Sequence, residues 1–178
     1  RSQIAKSMRV PDGSYVDCDG RKCKKEEMSL SSLKKQLQAM VAGYSGEWSV
    51  YVKNLKTGDV ISINDKAMRP ASVIKLFAMA GTYDSIKNGR IKKTAEVDSL
   101  LEDMITVSDN DAANTLTTYL GGGDSTAGRQ AVDSFCQTHG YTKTHMGRML
   151  LASNAQDDNY TSVGDCGHFL MEIYKENN

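Results

Sequence analysis

The apolar residues of this chain change period three times. From Ser29 the spacing is helical: Leu30, Leu33, Leu37, Met40, Val41 and Tyr44 fall on one stripe, and Gly43 is a natural stop. From Glu47 the period drops to two. Trp48, Val50 and Val52 alternate with Ser49, Tyr51 and Lys53, and Lys56-Thr57-Gly58-Asp59 supplies a turn, so residues 47–64 read as a β-hairpin. After Ala71 the helical period returns. It predicts helices near 72–88, 97–106, 110–120, 125–139 and 162–176, with Gly121–Gly123 breaking two of them and a long loop over 142–161. Residues 1–28 show neither period. They are polar and turn-rich, and the run Arg21, Lys22, Lys24, Lys25 is answered at once by Glu26 and Glu27, so this stretch reads as a solvated arm or linker.

One helix, two strands and many helices make an α+β chain. Two strands are too few for a stable sheet, because an isolated hairpin is marginal in water. Either a helix covers the hairpin or further strands come from elsewhere. The 178 residues suffice for one domain with a core, and 39% apolar with 25% charged residues is ordinary for a globular protein. Lys plus Arg equals Asp plus Glu at 22 each, which argues against a nucleic-acid partner. No apolar run approaches a membrane span, and no signal peptide is visible, so a mature or trimmed chain is expected, with any membrane attachment through an anchor absent from this sequence. The four cysteines fit no zinc box. Cys18 with Cys23 and Cys136 with Cys166 are possible disulfides, and independent buried thiols are the alternative.

The chemistry starts at Arg69-Pro70-Ala71-Ser72-Val73-Ile74-Lys75. Ser-x-x-Lys alone is weak, since Ser31 with Lys34 and Ser32 with Lys35 also match it on the polar side of the first helix. Ser72 has a different context. Pro70 suits a helix entrance, and Ser72 sits where free backbone N–H groups favour negative charge. Lys75 shares its helix face and is flanked by Val73, Ile74, Leu76, Phe77, Ala78 and Met79. A desolvated lysine loses its proton more easily and can take one from the serine. The plainer alternative has Ser72 capping the helix and Lys75 reaching out to water. Further on, Ser108-Asp109-Asn110 joins two predicted helices. Ser108 suits a proton relay and Asn110 a contact to a carbonyl or amide, although all three residues also make good helix caps.

Together the two boxes resemble those of the class A β-lactamases and penicillin-binding D,D-peptidases, over about Ser29–Asn178. The resemblance implies an α/β sandwich of the β-lactamase/transpeptidase type, here the helical subdomain plus the first two strands of its antiparallel sheet. Residues 29–178 would form an incomplete domain lacking its C-terminal strands. It implies Ser72 as the acylated nucleophile, Lys75 as its base, Ser108 as proton shuttle, Asn110 as substrate contact, and the Ser72 N–H as half of an oxyanion hole. It also implies a β-lactam or D-alanyl peptide substrate, no metal or cofactor, and a secreted or cell-envelope bacterial setting.

Two departures stand out. Where the family places its deacylating glutamate, this chain reads Arg148-Met149-Leu150, and no Glu occurs between Glu102 and Glu172. An ester at Ser72 should persist unless Asp157 or Asp158 substitutes, which fits a D,D-peptidase or a non-enzymatic sensor as alternatives to a hydrolase. The family's C-terminal Lys-Thr-Gly box has no counterpart. Lys56-Thr57-Gly58 precedes Ser72 and lies in a hairpin turn, where glycine is expected. The reading therefore expects a piece of a larger protein, completed by a C-terminal fragment or second chain. Gly121-Gly122-Gly123 lacks the lysine of a phosphate loop, Asn159-Tyr160-Thr161 is a chance-level glycosylation triplet, and Cys166 with His168 lacks partners for a metal.

Overall fold

The computed structural model describes residues 30–153 and 156–176, with the backbone of three two-residue strands before them. The chain divides into two compact units, residues 1–45 and 46–178. The first holds an antiparallel meander of β1 (Met8–Arg9), β2 (Tyr15–Val16) and β3 (Lys22–Cys23), followed by α1 (Leu30–Ala42). Strands of two residues are too short to carry a hydrophobic period, so the pattern read there as an arm gave no sign of them. The Cys18–Cys23 pairing lies outside the described residues.

The second unit opens with the expected hairpin, β4 (Val50–Lys53) and β5 (Val60–Ile63), in the register Val50↔Ile63 to Lys53↔Val60. Its turn is built by Asn54, whose Oδ1 accepts from the amides of Lys56 and Thr57, and by Gly58 at φ +80°. The Lys56-Thr57-Gly58 triplet is thus turn chemistry. A 3-10 turn (Ala71–Ile74) then leads into α2 (Lys75–Lys87), and α3 (Ala95–Thr106), α4 (Asn110–Leu120), α5 (Ser125–Thr138) and α6 (Val163–Glu176) follow. Three helices start at side-chain caps: Thr94, Asp109 and Asp124 accept from the amides of Val97, Ala112 and Ala127.

α2 and α4 pack against each other, and each packs against both α3 and α5. Ile74 and Phe77 carry no exposed surface, and they join Leu101, Met104, Ala113, Leu116, Val132 and Tyr141 in one core. Phe77 meets Tyr141 edge-on at 5.3 Å between ring centroids. The closest helix contact is α5 on α4. A Cβ at Gly128 would stand 1.9 Å from the carbonyl oxygen of Thr117, which is backbone and cannot swing aside. Gly128→Ala should therefore cost about 1–3 kcal/mol by overpacking, read as a lower denaturant midpoint.

The long loop after α5 is pinned at both ends. β6 (His145–Met146) pairs antiparallel with β7 (Asn159–Tyr160), and Met68 bridges to Thr161. The Cys136–Cys166 disulfide is not formed. Cys136 is fully buried in the core and Cys166 sits 3.8 Å from Thr161 Oγ1, so each thiol faces its own surroundings and both are free. Burial, with Asp133 and Asp165 nearby, pushes the Cys136 thiol up to about 12, which makes it an inert core residue. Among the described residues, no helix is long and apolar enough to cross a membrane.

Candidate active site

Ser72 lies inside the 3-10 turn, exposed, and its hydroxyl caps nothing; the cap position is Pro70, without a side-chain bond. Ala71, just before it, has φ +47°, a region that costs a residue with a Cβ about 1–3 kcal/mol. Ser108 shares this feature at φ +58°. Strain of this kind gathers at sites where the surrounding fold must hold a residue in one pose.

Lys75 does not reach out to water. It is the first residue of α2 and only 1% exposed, in a turn whose neighbours Ile74, Phe77 and Ala78 are all buried. Its Nζ donates to Ser108 O at 2.5 Å and to Ser108 Oγ at 3.0 Å. Burial pulls the amine below the usual lysine range, against the opposing pull of the Asp109 charge. The fold thus joins the two sequence boxes through one hydrogen-bonded pair, Lys75 and Ser108, from α2 and the α3–α4 connection. Asp109 serves as the α4 cap, so the middle residue of Ser108-Asp109-Asn110 has a structural task.

Asn110 and Ser72 line one cleft of about 670 Å³, whose other wall is the loop after β6. Leu150 stands in that wall. Its amide donates to Asn114 Oδ1 and its carbonyl accepts from Asn114 Nδ2, so one side chain fixes the backbone on both sides. Asp158 ties the loop to the serine's own segment: Oδ1 accepts from Arg148 Nε at 2.7 Å and Oδ2 from Arg69 Nε at 2.8 Å. Asp157 accepts from His145 Nε2 at 2.7 Å. The hydrogen bond from Arg148 holds Asp158 below the usual carboxylate range, and the bond from His145 does the same for Asp157. Both carboxylates are thus already engaged by side chains of the loop and its neighbours.

The residue pattern did not single out Asn114, Arg69 or His145. Asn114 was within reach, since it lies four residues after Asn110 on the same helix face. The arginine and histidine ties join distant segments and leave no local signal.

A family model described as "Beta-lactamase enzyme family" matches residues 32–98 and 90–178. The chain belongs to the beta-lactamase enzyme family. Solved structures agree on its α+β fold. A beta-lactamase from Streptosporangium roseum is 21% identical with a TM-score of 0.65, over 80% of this chain and 62% of its own. An ancestral class A beta-lactamase is 23% identical with a TM-score of 0.64, over 78% and 62%. The D-alanyl-D-alanine carboxypeptidase DacD from Francisella tularensis is 20% identical with a TM-score of 0.57, over 72% and 38%. This beta-lactamase-family chain therefore spans about three-fifths of the length of the two beta-lactamases, and at these identities the likeness is one of fold. No curated protein sequence matches it.

Proposed function

We propose that Ser72 forms an ester with β-lactams or D-alanyl-D-alanine peptides, and that this ester is hydrolysed slowly. Ser72 Oγ attacks the carbonyl carbon while its proton passes to the neutral Lys75 amine. The C–N bond breaks, and Ser108 Oγ hands a proton to the departing nitrogen, replenished from Lys75. Asn110 holds the substrate amide, and the Ser72 N–H meets the charge on the carbonyl oxygen. The observation that carries this reading is the buried Lys75 amine held 3.0 Å from Ser108 Oγ, with Ser72 exposed on the turn that leads into the lysine. No metal or cofactor enters these steps.

Release of the ester needs a base for water. Leu150 is hydrocarbon, Asp158 is held by Arg69 and Arg148, and Asp157 is hydrogen-bonded to His145, which favours a D,D-peptidase or a β-lactam sensor over an efficient hydrolase. A complementing segment, continuous with this chain or from a second one, would supply the remaining strands and the Lys-Thr-Gly box. It would seat in a groove of about 460 Å³ that shares Arg69 and Pro70 with the cleft and is walled by Trp48, Met68, Val73 and Val163. The setting proposed is secreted or in a bacterial cell envelope, where such substrates are met.

Incubating the full protein with a labelled penicillin and following intact mass tests this. A lasting adduct on Ser72, lost in Ser72→Ala, is expected. A quickly vanishing adduct would mean an efficient hydrolase, and none at all would mean a fold that has lost its chemistry. The rate of ester formation should climb with pH as Lys75 loses its proton, along a limb that lies below the ordinary lysine range.

A further inference from the structure

The loop between β6 and β7 has a second tie, on His145. Nδ1 lies 2.8 Å from Asp133 Oδ2 of α5, and Nε2 lies 2.7 Å from Asp157 Oδ2 of the loop. A carboxylate oxygen only accepts, so both contacts are hydrogen bonds only when both ring nitrogens donate. That state is the imidazolium. We infer that protonated His145 is a positioning residue that latches the cleft wall to α5 and releases its outer part when the ring proton leaves.

Asymmetry decides which side opens. Asp133 is the better anchored partner: its Oδ1 accepts from the amide of Met146 on β6 at 2.7 Å, whereas Asp157 Oδ1 accepts only from the next amide of its own loop, Asp158, at 2.8 Å. Its side chain is 27% exposed against 56% for Asp157. The single proton of a neutral ring stays on Nδ1, and the lone pair of Nε2 then faces the Asp157 carboxylate. The loop is folded tightly there: a Cβ on Gly147 would stand 2.6 Å from Asp157 Cγ. The other charge beside this cluster is Arg129 of α5, which donates to Gly147 O and lowers Asp157 through space. Tyr160 is the strand partner of His145. Asp158 stays tied to both arginines whatever the state of His145, so release is confined to the stretch before it.

The direction with pH follows. The hydrogen bond to Asp157 raises His145 above the ordinary histidine value, and Asp157 is lowered. The latch is complete below the unfolded histidine value of about 6.5 and is lost as pH rises through the higher folded value. At the acid end it fails as pH falls through the lowered value of Asp157.

The latch stands apart from the acyl-transfer reading, and only its effect on the cleft rests on that reading. The test needs no substrate. Amide exchange of Leu150–Ser153 and of Gln156–Asp157 is followed by mass spectrometry across the histidine titration, corrected for the intrinsic rate, with imidazole nitrogen shifts read by NMR. Protection should fall about ten-fold as His145 deprotonates. His145→Arg, permanently cationic, should keep the loop protected throughout, and His145→Gln should leave it open throughout. Protection that stays flat through the parent's titration overturns the latch, as does a ring carrying one proton at pH 6. A penicillin adduct that fails to form would count against Ser72 and leave this result standing.

Discussion

Lys75→Met is expected to slow ester formation at Ser72 by about 100- to 10,000-fold, the usual contribution of a positioned base, while the protein keeps its fold. The substitution separates the chemical task of Lys75 from its packing. Methionine fills nearly the same volume and is apolar, which suits a position only 1% exposed among Ile74, Phe77 and Ala78. The ammonium is held there against a desolvation penalty that methionine does not incur. Of the partners it leaves, the Ser108 hydroxyl can rotate toward water, and the residue that carries both oxygens is exposed. Thermal unfolding should therefore stay at or above the parent's midpoint while the single-turnover acylation rate, followed by intact mass, collapses. Acylation at the parental rate would remove Lys75 from the mechanism. A large loss of stability would mean that the Lys75–Ser108 pair is a structural strut.

The helices were legible because each carries its own period and its own punctuation. Leu30–Ala42 stops at Gly43, Asn110–Leu120 starts behind Asp109, and Ser125–Thr138 starts behind Asp124, so local residues alone set those ends. The entrance to α2 differs. A serine after a proline reads as a cap, yet the chain makes a 3-10 turn there and leaves the hydroxyl free. The positive φ of Ala71 is imposed by the surrounding fold, and nothing in an alanine announces it. The same limit applies to the cleft. Ser72, Lys75, Ser108 and Asn110 were singled out because two short boxes each suggest chemistry. Their assembly depends on a contact between residues 33 apart, Lys75 to Ser108. The ties that shape the opposite wall run from Arg69 to Asp158 and from Asp133 to His145, between segments whose sequences look like ordinary polar surface. The cysteines left two readings open, a bridge or independent thiols, because spacing does not decide between them; in the fold Cys136 and Cys166 are both free.

Leu150→Glu should convert a lasting ester into a transient one. The backbone of residue 150 is fixed by Asn114 at both its amide and its carbonyl, so a new side chain starts from the same place as the leucine and projects from the same wall of the cleft that holds Ser72. The leucine is only partly buried, and a carboxylate there keeps access to water, so it needs no buried ion pair to remain charged. Unlike Asp157 and Asp158, it has no guanidinium or imidazolium bonded to it in this arrangement, and its basicity is not drained by a partner. A water between it and the ester carbonyl could then be deprotonated as it attacks. The hydrolysis rate of the adduct should rise by about 100-fold or more, with the rate of adduct formation little changed. Leu150→Gln is the control: similar in shape and polarity but unable to take a proton, it should leave the adduct as long-lived as in the parent. If the glutamate variant folds and acylates normally yet holds its adduct as long as the glutamine variant does, the slow step lies elsewhere than in the missing base, and water access to the ester becomes the quantity to measure.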